Sequence, residues 1–179
     1  MRSGGCLGYQ LVELKERHCS TLYQWDLKES RRDLYTCRPV DPLPDLGAYS
    51  RRLMDRVRSQ RHIIYCLTQG DEGILGKIEA FDLNPRNKSM EFGYYLPPAH
   101  RGHGVGTVML RLFLREMFSN EALSLNKIYA TTAEHNTASV RLLERFGFHL
   151  DGVLREHYWT TEGVEAQLHF SLLRAELSL

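Results

Sequence analysis

The stretch from Ser89 to Phe118 constrains the fold of this chain more than any other. It begins Ser89-Met90-Glu91-Phe92-Gly93-Tyr94-Tyr95-Leu96, in which Met90, Phe92, Tyr94 and Leu96 alternate with the other four residues at the period of a strand. Pro97-Pro98 breaks that strand. Arg101-Gly102-His103-Gly104-Val105-Gly106-Thr107 follows, and then Val105, Val108, Met109, Leu112, Phe113 and Met117 recur at the spacing of a buried helix stripe. The unit is a strand, a break, a glycine-rich turn and a helix. Glycines at 102, 104 and 106 let the backbone approach a ligand closely and align successive N–H groups. The helix behind them adds its unpaired N–H groups and its positive end. Such an arrangement binds an anion, and phosphate or pyrophosphate fits it best.

A glycine-rich turn alone is weak evidence. A P-loop requires Gly-Lys-Ser/Thr at its close, and here Gly106 is followed by Thr107-Val108. A dinucleotide fingerprint requires Gly-x-Gly-x-x-Gly in a parallel unit, whereas this is Gly-x-Gly-x-Gly after an antiparallel hairpin. An ordinary tight turn capping a helix is the remaining reading, and the turn by itself does not choose.

In chain order, Tyr9–Leu14 reads as a strand and Glu16–Glu29 as a helix with Cys19, Leu22 and Trp25 inward. Residues 31–45 carry three prolines and read as a loop, and 46–59 as a second helix with Leu53, Met54 and Val57 inside. His62–Thr68 and Ile74–Phe81 form a hairpin around Gly70-Asp71-Glu72-Gly73. Lys127–Thr132 is a strand parallel to 89–96 through a right-handed crossover. Asn136 caps a helix that stops at Gly147 in the left-handed conformation. Phe148–Trp159 and Glu165–Arg174 are a final antiparallel pair. The reading is one α+β domain over residues 1–179, with the order of residues 1–8 left open.

Bulk properties exclude little. With 23 Lys and Arg against 22 Asp and Glu, the net charge of +1 gives no reason to expect nucleic acid or a membrane as partner. No apolar run is long enough to span a bilayer, and the first residues do not form a signal peptide. Cys6, Cys19, Cys37 and Cys66 lack metal or redox spacing and read as reduced, mostly buried thiols of a cytoplasmic protein. The 8 histidines show no metal-binding spacing, so no metal is expected. Arg51, Arg52, Arg56, Arg58 and Arg61 tint one region basic. A solvated helix face is the plainer explanation, and an acidic acceptor or partner the functional one.

Arg101-x-x-Gly104-x-Gly106 behind a strand containing Glu91-Phe92-Gly93-Tyr94 resembles the acetyl-CoA motif of the GNAT superfamily of N-acetyltransferases. Asn136-Thr137-Ala138-Ser139 and Leu142-Leu143-Glu144-Arg145-Phe146-Gly147-Phe148 resemble its next conserved block. Gly152-Val153-Leu154-Arg155-Glu156 and Phe170-Ser171-Leu172-Leu173-Arg174 are similar to the RimJ/RimL-type branch, the ribosomal-protein N-terminal acetyltransferases and their relatives. The likeness is specific from Glu91 to Gly147 and loose before Ile63.

The resemblance implies a mixed, mostly antiparallel central sheet of about seven strands with helices on both faces. It implies acetyl-CoA as donor, its pyrophosphate cradled by the backbone of Arg101, Gly102, His103, Gly104, Val105, Gly106 and Thr107. Backbone near Tyr95 and Leu96 would bond the pantetheine arm where two strands splay, and Asn136 would contact that arm. Arg101 would reach a phosphate or stay on the surface. Glu91 holds the position of a base acting through water. The tyrosine that protonates the thiolate in many members is here Leu143, so Ser139, one turn earlier, is the expected partner of the sulfur. The first third of the chain would shape the acceptor pocket.

Acetyl transfer to an amine needs a positioned donor, a polarised carbonyl and two proton movements. Holding two reactants in line supplies roughly 7–11 kcal/mol, more than the ~10²–10⁴ in rate from one proton-transfer group. No cysteine or serine nucleophile is therefore needed. The expected acceptor is the α-amino terminus of a protein. The alternatives are a small amine (polyamine, amino sugar or amino-acid derivative) and a non-catalytic acyl-CoA-binding module. A homodimer is left open.

Overall fold

The computed structural model describes residues 8–32, 35–36, 40–70, 73–160 and 162–178. The question of residues 1–8 falls, apart from Gly8, outside them, as do Cys6 and Cys37. The described elements run β1 (Tyr9–Glu13), α1 (Glu16–Lys28), α2 (Leu46–Arg58), β2 (Ile63–Gln69), β3 (Ile74–Asn84) and β4 (Ser89–Tyr95). Then come α3 (Val105–Ser119), β5 (Lys127–Ala133), α4 (Thr137–Arg145), β6 (His149–Thr160) and β7 (Gly163–Leu173). Among the described residues no helix is long and apolar enough to cross a membrane.

The seven strands form one sheet in the order β1-β2-β3-β4-β5-β7-β6. Every neighbouring pair is antiparallel except β4 and β5, which are parallel. A parallel pair needs a crossover, and α3 supplies it. The final hairpin is present as expected, but its second strand, β7, lies between β5 and β6, in register with β5 from Lys127↔Leu173 to Ala133↔Gln167. Linear order in the sequence does not reveal that insertion.

Helices cover both faces. α3 and α4 pack on one, where Met90, Phe92, Met109, Phe113, Ile128 and Leu143 are each at most 2% exposed. The Phe92 ring lies 5.5 Å from Phe113 and 5.7 Å from Phe148. Met109 and Met117 are fully buried core filling, as their spacing predicts. On the other face Cys19 and Leu22 of α1 and Leu53 of α2 pack on Leu14, Ile64 and Cys66. Cys19 and Cys66 are free and buried, and burial pushes the Cys66 thiol up to about 12, which leaves it unreactive.

Caps fix where the helices begin. Asp45 accepts from the Ala48 N–H at 2.8 Å to start α2. Asn136 accepts from the Ser139 N–H at 3.3 Å to start α4, and Gly147, at φ +78°, ends that helix as expected. Most strand ends shift by a residue or two from the sequence reading, and two of the differences bear on the site. β4 stops at Tyr95, leaving Leu96 outside it. β3 continues past Phe81 to Asn84 through a bulge at Asp82 (φ +52°), and Asp82 and Leu83 come to line the cleft described next.

Candidate active site

β4 and β5 are paired only at Ser89↔Lys127, Met90↔Ile128 and Glu91↔Tyr129. Beyond that point β4 runs on to Tyr95, held by Lys77 of β3, and β5 runs on to Ala133, held by Gln167 of β7. The two strands thus open into a wedge whose facing backbone edges do not bond each other. Backbone donors and acceptors need partners. An extended ligand with amide groups satisfies such an edge as an added strand does.

The wedge leads to the glycine turn. Gly102 and Gly104 both adopt φ +79°, a conformation that side chains disfavour. Gly104 is the N-cap of α3 and brings no side chain to its N–H groups. The first helical bond runs from the Val108 N–H to the Gly104 carbonyl at 3.1 Å, so the donors before it face outward. A Cβ at Gly102 or Gly104 would meet nothing within 4 Å, which leaves room for an anion against the backbone. Gly106 serves packing instead: its Cβ would stand 3.2 Å from Leu96 Cδ1 and 3.5 Å from Leu142 Cδ2. His103 is exposed and Val105 buried. Arg145 donates to the Thr107 hydroxyl at 3.3 Å, bringing a cation to the turn.

Arg101 does not point its side chain at the turn. Its Nε donates to the Leu96 carbonyl at 2.8 Å and its guanidinium to Glu29 Oε2 at 2.7 Å, while the group lies 5.6 Å from the Tyr95 ring centre. The Tyr95 hydroxyl donates to the same Glu29 oxygen at 2.9 Å. Burial acts to raise the Glu29 pKa, but donors from Arg101, the Arg31 backbone and Tyr95 outweigh it and hold the carboxyl low. Arg101 therefore ties the glycine turn to the end of α1.

The expected proton carriers stand on opposite faces. Glu91 is half-buried on the α1/α2 face and accepts from Thr131 Oγ1 at 3.0 Å, across the mouth of the wedge. Ser139 is buried on the α3/α4 side, where its hydroxyl lies close enough to the Tyr94 phenol to act on it. Burial raises the Tyr94 pKa, so the phenol stays protonated near neutrality. Leu143 is fully buried and brings no proton. The fold thus places the Tyr94 phenol beside Ser139.

A cleft of about 870 Å³ lies on the α1/α2 side, walled by Trp25, Glu29, Tyr49, Glu79, Gly93 and Tyr95 among others. Sequence reasoning missed its buried carboxylate. Glu79 faces Gly93 in the β3–β4 register and is 7% exposed. It pairs with Arg56, with His62 at 2.8 Å and with Lys77 at 3.4 Å. Burial alone would raise its pKa; Lys77, the His62 hydrogen bond and Arg56 overcome that and hold it at about 2. The available signal was two charged residues, Lys77 and Glu79, on one face of an otherwise apolar strand. His169 was also missed. It pairs with Thr131 in register and bonds Gln167 at 2.9 Å, one strand over from the Glu91 contact.

The family model described as Acetyltransferase (GNAT) domain matches residues 10–149. This chain belongs to the GNAT family. Acetyl-CoA is the acetyl donor in that family. Among its relatives, the SPbeta prophage-derived uncharacterized N-acetyltransferase YokL of Bacillus subtilis is 32% identical over 117 residues, covering 64% of each chain. YdaF of the same organism, provisionally named a ribosomal N-acetyltransferase, is 28% identical over 59% of this chain and 57% of its own. This GNAT chain thus spans about three-fifths of those relatives' lengths. A solved spermidine N-acetyltransferase from Vibrio cholerae, in complex with CoA and spermine, superposes with a TM-score of 0.85. The match covers 94% of this chain and 97% of that one at 18% identity, a likeness of fold.

Proposed function

We propose that this GNAT protein is an acetyl-CoA-dependent N-acetyltransferase that moves the acetyl group directly to a primary amine entering from the α1/α2 cleft. One observation carries the reading: β4 and β5 part after Glu91 and Tyr129, between the glycine turn and the cleft-lining segment Gly93–Tyr95. Backbone N–H groups of residues 101–107 would hold the pyrophosphate, and Tyr95, Leu96 and Asn136 the pantetheine arm. A backbone N–H at the wedge would polarise the thioester carbonyl, and one such donor contributes about 2.7–4 kcal/mol. Glu91 would take the amine proton through water. Ser139, beside Tyr94, would serve the leaving sulfur.

A small amine is the acceptor that the cleft supports best, because about 870 Å³ lies within the ~300–1,000 Å³ of small-molecule sites. The spermidine N-acetyltransferase fold lends that reading support. The α-amino terminus of a protein is the second reading, favoured by the name of YdaF and by the RimJ/RimL-like segments near residues 152–156 and 170–174. A single cytoplasmic domain is part of the proposal. So is self-association through β6, where Trp159 near one end is 83% exposed and Leu150, Val153 and Leu154 toward the other are exposed as well.

The test is release of free CoA thiol with a panel of small amines and N-terminal peptides, with products weighed by mass spectrometry. An acetylated small amine supports the proposal, and an acetylated peptide alone moves it to the second reading. No thiol release with any acceptor, while acetyl-CoA still binds by calorimetry, would leave a binding module.

A further inference from the structure

Resting on the reading that this cleft takes the acceptor, we infer that the acceptor is a small amine carrying a carboxylate or phosphate near its amino group. Arg56, Arg61 and Lys77 bind that anion, and polyamines are poor substrates.

The fold sorts the arginines of residues 51–61. Arg58 pairs with Asp55 at 2.9 Å on an exposed face. Arg56 and Arg61 instead line the cleft, with Lys77 from β3 beside them. Glu79 neutralises one of these three cations. Arg56 nevertheless keeps 44% of its side chain exposed. The Arg61 side chain makes no hydrogen bond or ion pair among the described residues, and it is exposed. An adjoining cavity of about 260 Å³ shares Arg56 and Lys77 with the cleft, and there Arg52 is offset by Asp41, so it leaves the balance of the α2/β3 wall unchanged. Two positive charges of the α2/β3 wall are thus unmatched.

The other cleft charges do not cancel them. Glu29 is taken by Arg101. Asp26, which accepts from the Tyr49 hydroxyl at 2.7 Å, shares its wall with Arg32. The remaining carboxylate of the described cleft lining is Asp82, bonded by the Tyr129 hydroxyl, and Glu91 lies beyond it on β4. Both belong to the side where β4 meets β5. The cleft is therefore bipolar, anionic toward the wedge and cationic toward α2 and β3. Arg56, Arg61, Lys77 and Asp82 all line the same cleft of about 870 Å³. A compact molecule with an ammonium at one end and an anion at the other can meet both poles within it. A planar guanidinium bonds a carboxylate or phosphate through two parallel N–H groups. The second ammonium of a polyamine would face those same cations.

The experiment compares kcat/KM, by CoA thiol release, across matched acceptors. They are an amino acid and its carboxamide, an aminoalkyl phosphate and the corresponding amino alcohol, and spermidine. The charged member of each pair is expected to exceed its neutral partner at least tenfold, and spermidine by more; the better of amino acid and aminoalkyl phosphate identifies the anion. In Arg61→Glu, a surface change compatible with folding, that preference is expected to fall at least tenfold while the KM for acetyl-CoA is unchanged. Equal or better turnover of the neutral partners or spermidine, or an unchanged preference in Arg61→Glu, overturns the inference and leaves the acetyltransferase reading standing. Turnover confined to peptides overturns it as well. No thiol release with any acceptor overturns both.

Discussion

On the α3/α4 side of the wedge, what faces a ligand is largely backbone: the N–H groups before Val108, set by two glycines at φ +79° and a helix start. On the α1/α2 side it is side chains from four separate segments: Trp25 and Glu29, Tyr49 and Arg56, Lys77 and Glu79, and Tyr95. The first side needs only small residues and one helix end, so a short stretch specifies it. The second depends on which side chains four packed elements bring together, and it can change its chemistry while the sheet stays the same. A donor common to a family suits the first construction, and acceptors that differ between members suit the second.

The largest effect is expected where the backbone site is filled. Gly104→Glu puts a side chain and a negative charge into open space before α3. Acetyl-CoA affinity should fall more than a hundredfold by calorimetry. Gly104→Ala separates the causes, since it adds the left-handed strain of about 1–2 kcal/mol without the charge. If the glutamate variant binds acetyl-CoA as tightly as the parent, the backbone side of the comparison breaks.

Next comes the buried carboxylate of the side-chain half. Glu79→Ala leaves Arg56 and Lys77 without their counter-charge. The cost is expected at about 3 kcal/mol, the low end for losing one partner of a buried pair, because those cations keep 44% and 24% exposure. Thermal unfolding should shift down by roughly 6–12 °C. The pH dependence has a definite sign. The folded pKa of about 2 lies below the ordinary carboxylate value of 4.5, so the unfolded chain binds the proton more tightly. The stabilisation is complete above about pH 4.5 and is lost as pH falls toward 2. The stability gap between the parent and Glu79→Gln should close over that window. A gap that stays constant would mean Glu79 acts through packing alone.

The same contrast governs what could be read from residues alone. The strand, turn and helix of 89–118 were legible because glycine spacing, proline breaks and apolar periodicity are local. So were the caps at Asn136 and Gly147, and the wedge followed from the resemblance. The insertion of β7 beside β5 was not legible, since sheet order is set by long-range pairing that adjacent strands do not announce. Glu79 was passed over because its value lies in Arg56, 23 residues away in sequence, and in His62, 17 away. Arg101 read as either a phosphate ligand or a surface arginine, and its bond to Glu29, 72 residues distant, was not legible in the sequence. The burial of Gln167, which donates to the buried Tyr158 hydroxyl at 3.4 Å, was likewise not legible, since it depends on pairing between two strands.

Glu91 and the Ser139–Tyr94 pair sharpen the comparison at the point where the two halves meet. Glu91→Gln keeps the size of the side chain that Thr131 bonds and removes its basicity. It should lower kcat by about a hundredfold, the low end for a proton-transfer group, with the acetyl-CoA dissociation constant unchanged. A loss of that size only in KM for the amine would make Glu91 a binding group of the acceptor side instead.

Ser139→Ala and Tyr94→Phe are expected to cost less, about tenfold each in kcat, or about 1.4 kcal/mol. The decisive feature is their combination. Because the two hydroxyls lie close enough to act on each other, they should work as one unit, and the double variant should be little worse than either single one. Effects that multiply to about a hundredfold would mean that each hydroxyl reaches the sulfur separately. If Tyr94→Phe has no effect while Ser139→Ala keeps its tenfold loss, the phenol only orients the serine. In that case the proton for the thiolate comes from the serine or from water, and the position held by Leu143 is replaced by one residue of α4 rather than by a pair bridging α4 and β4.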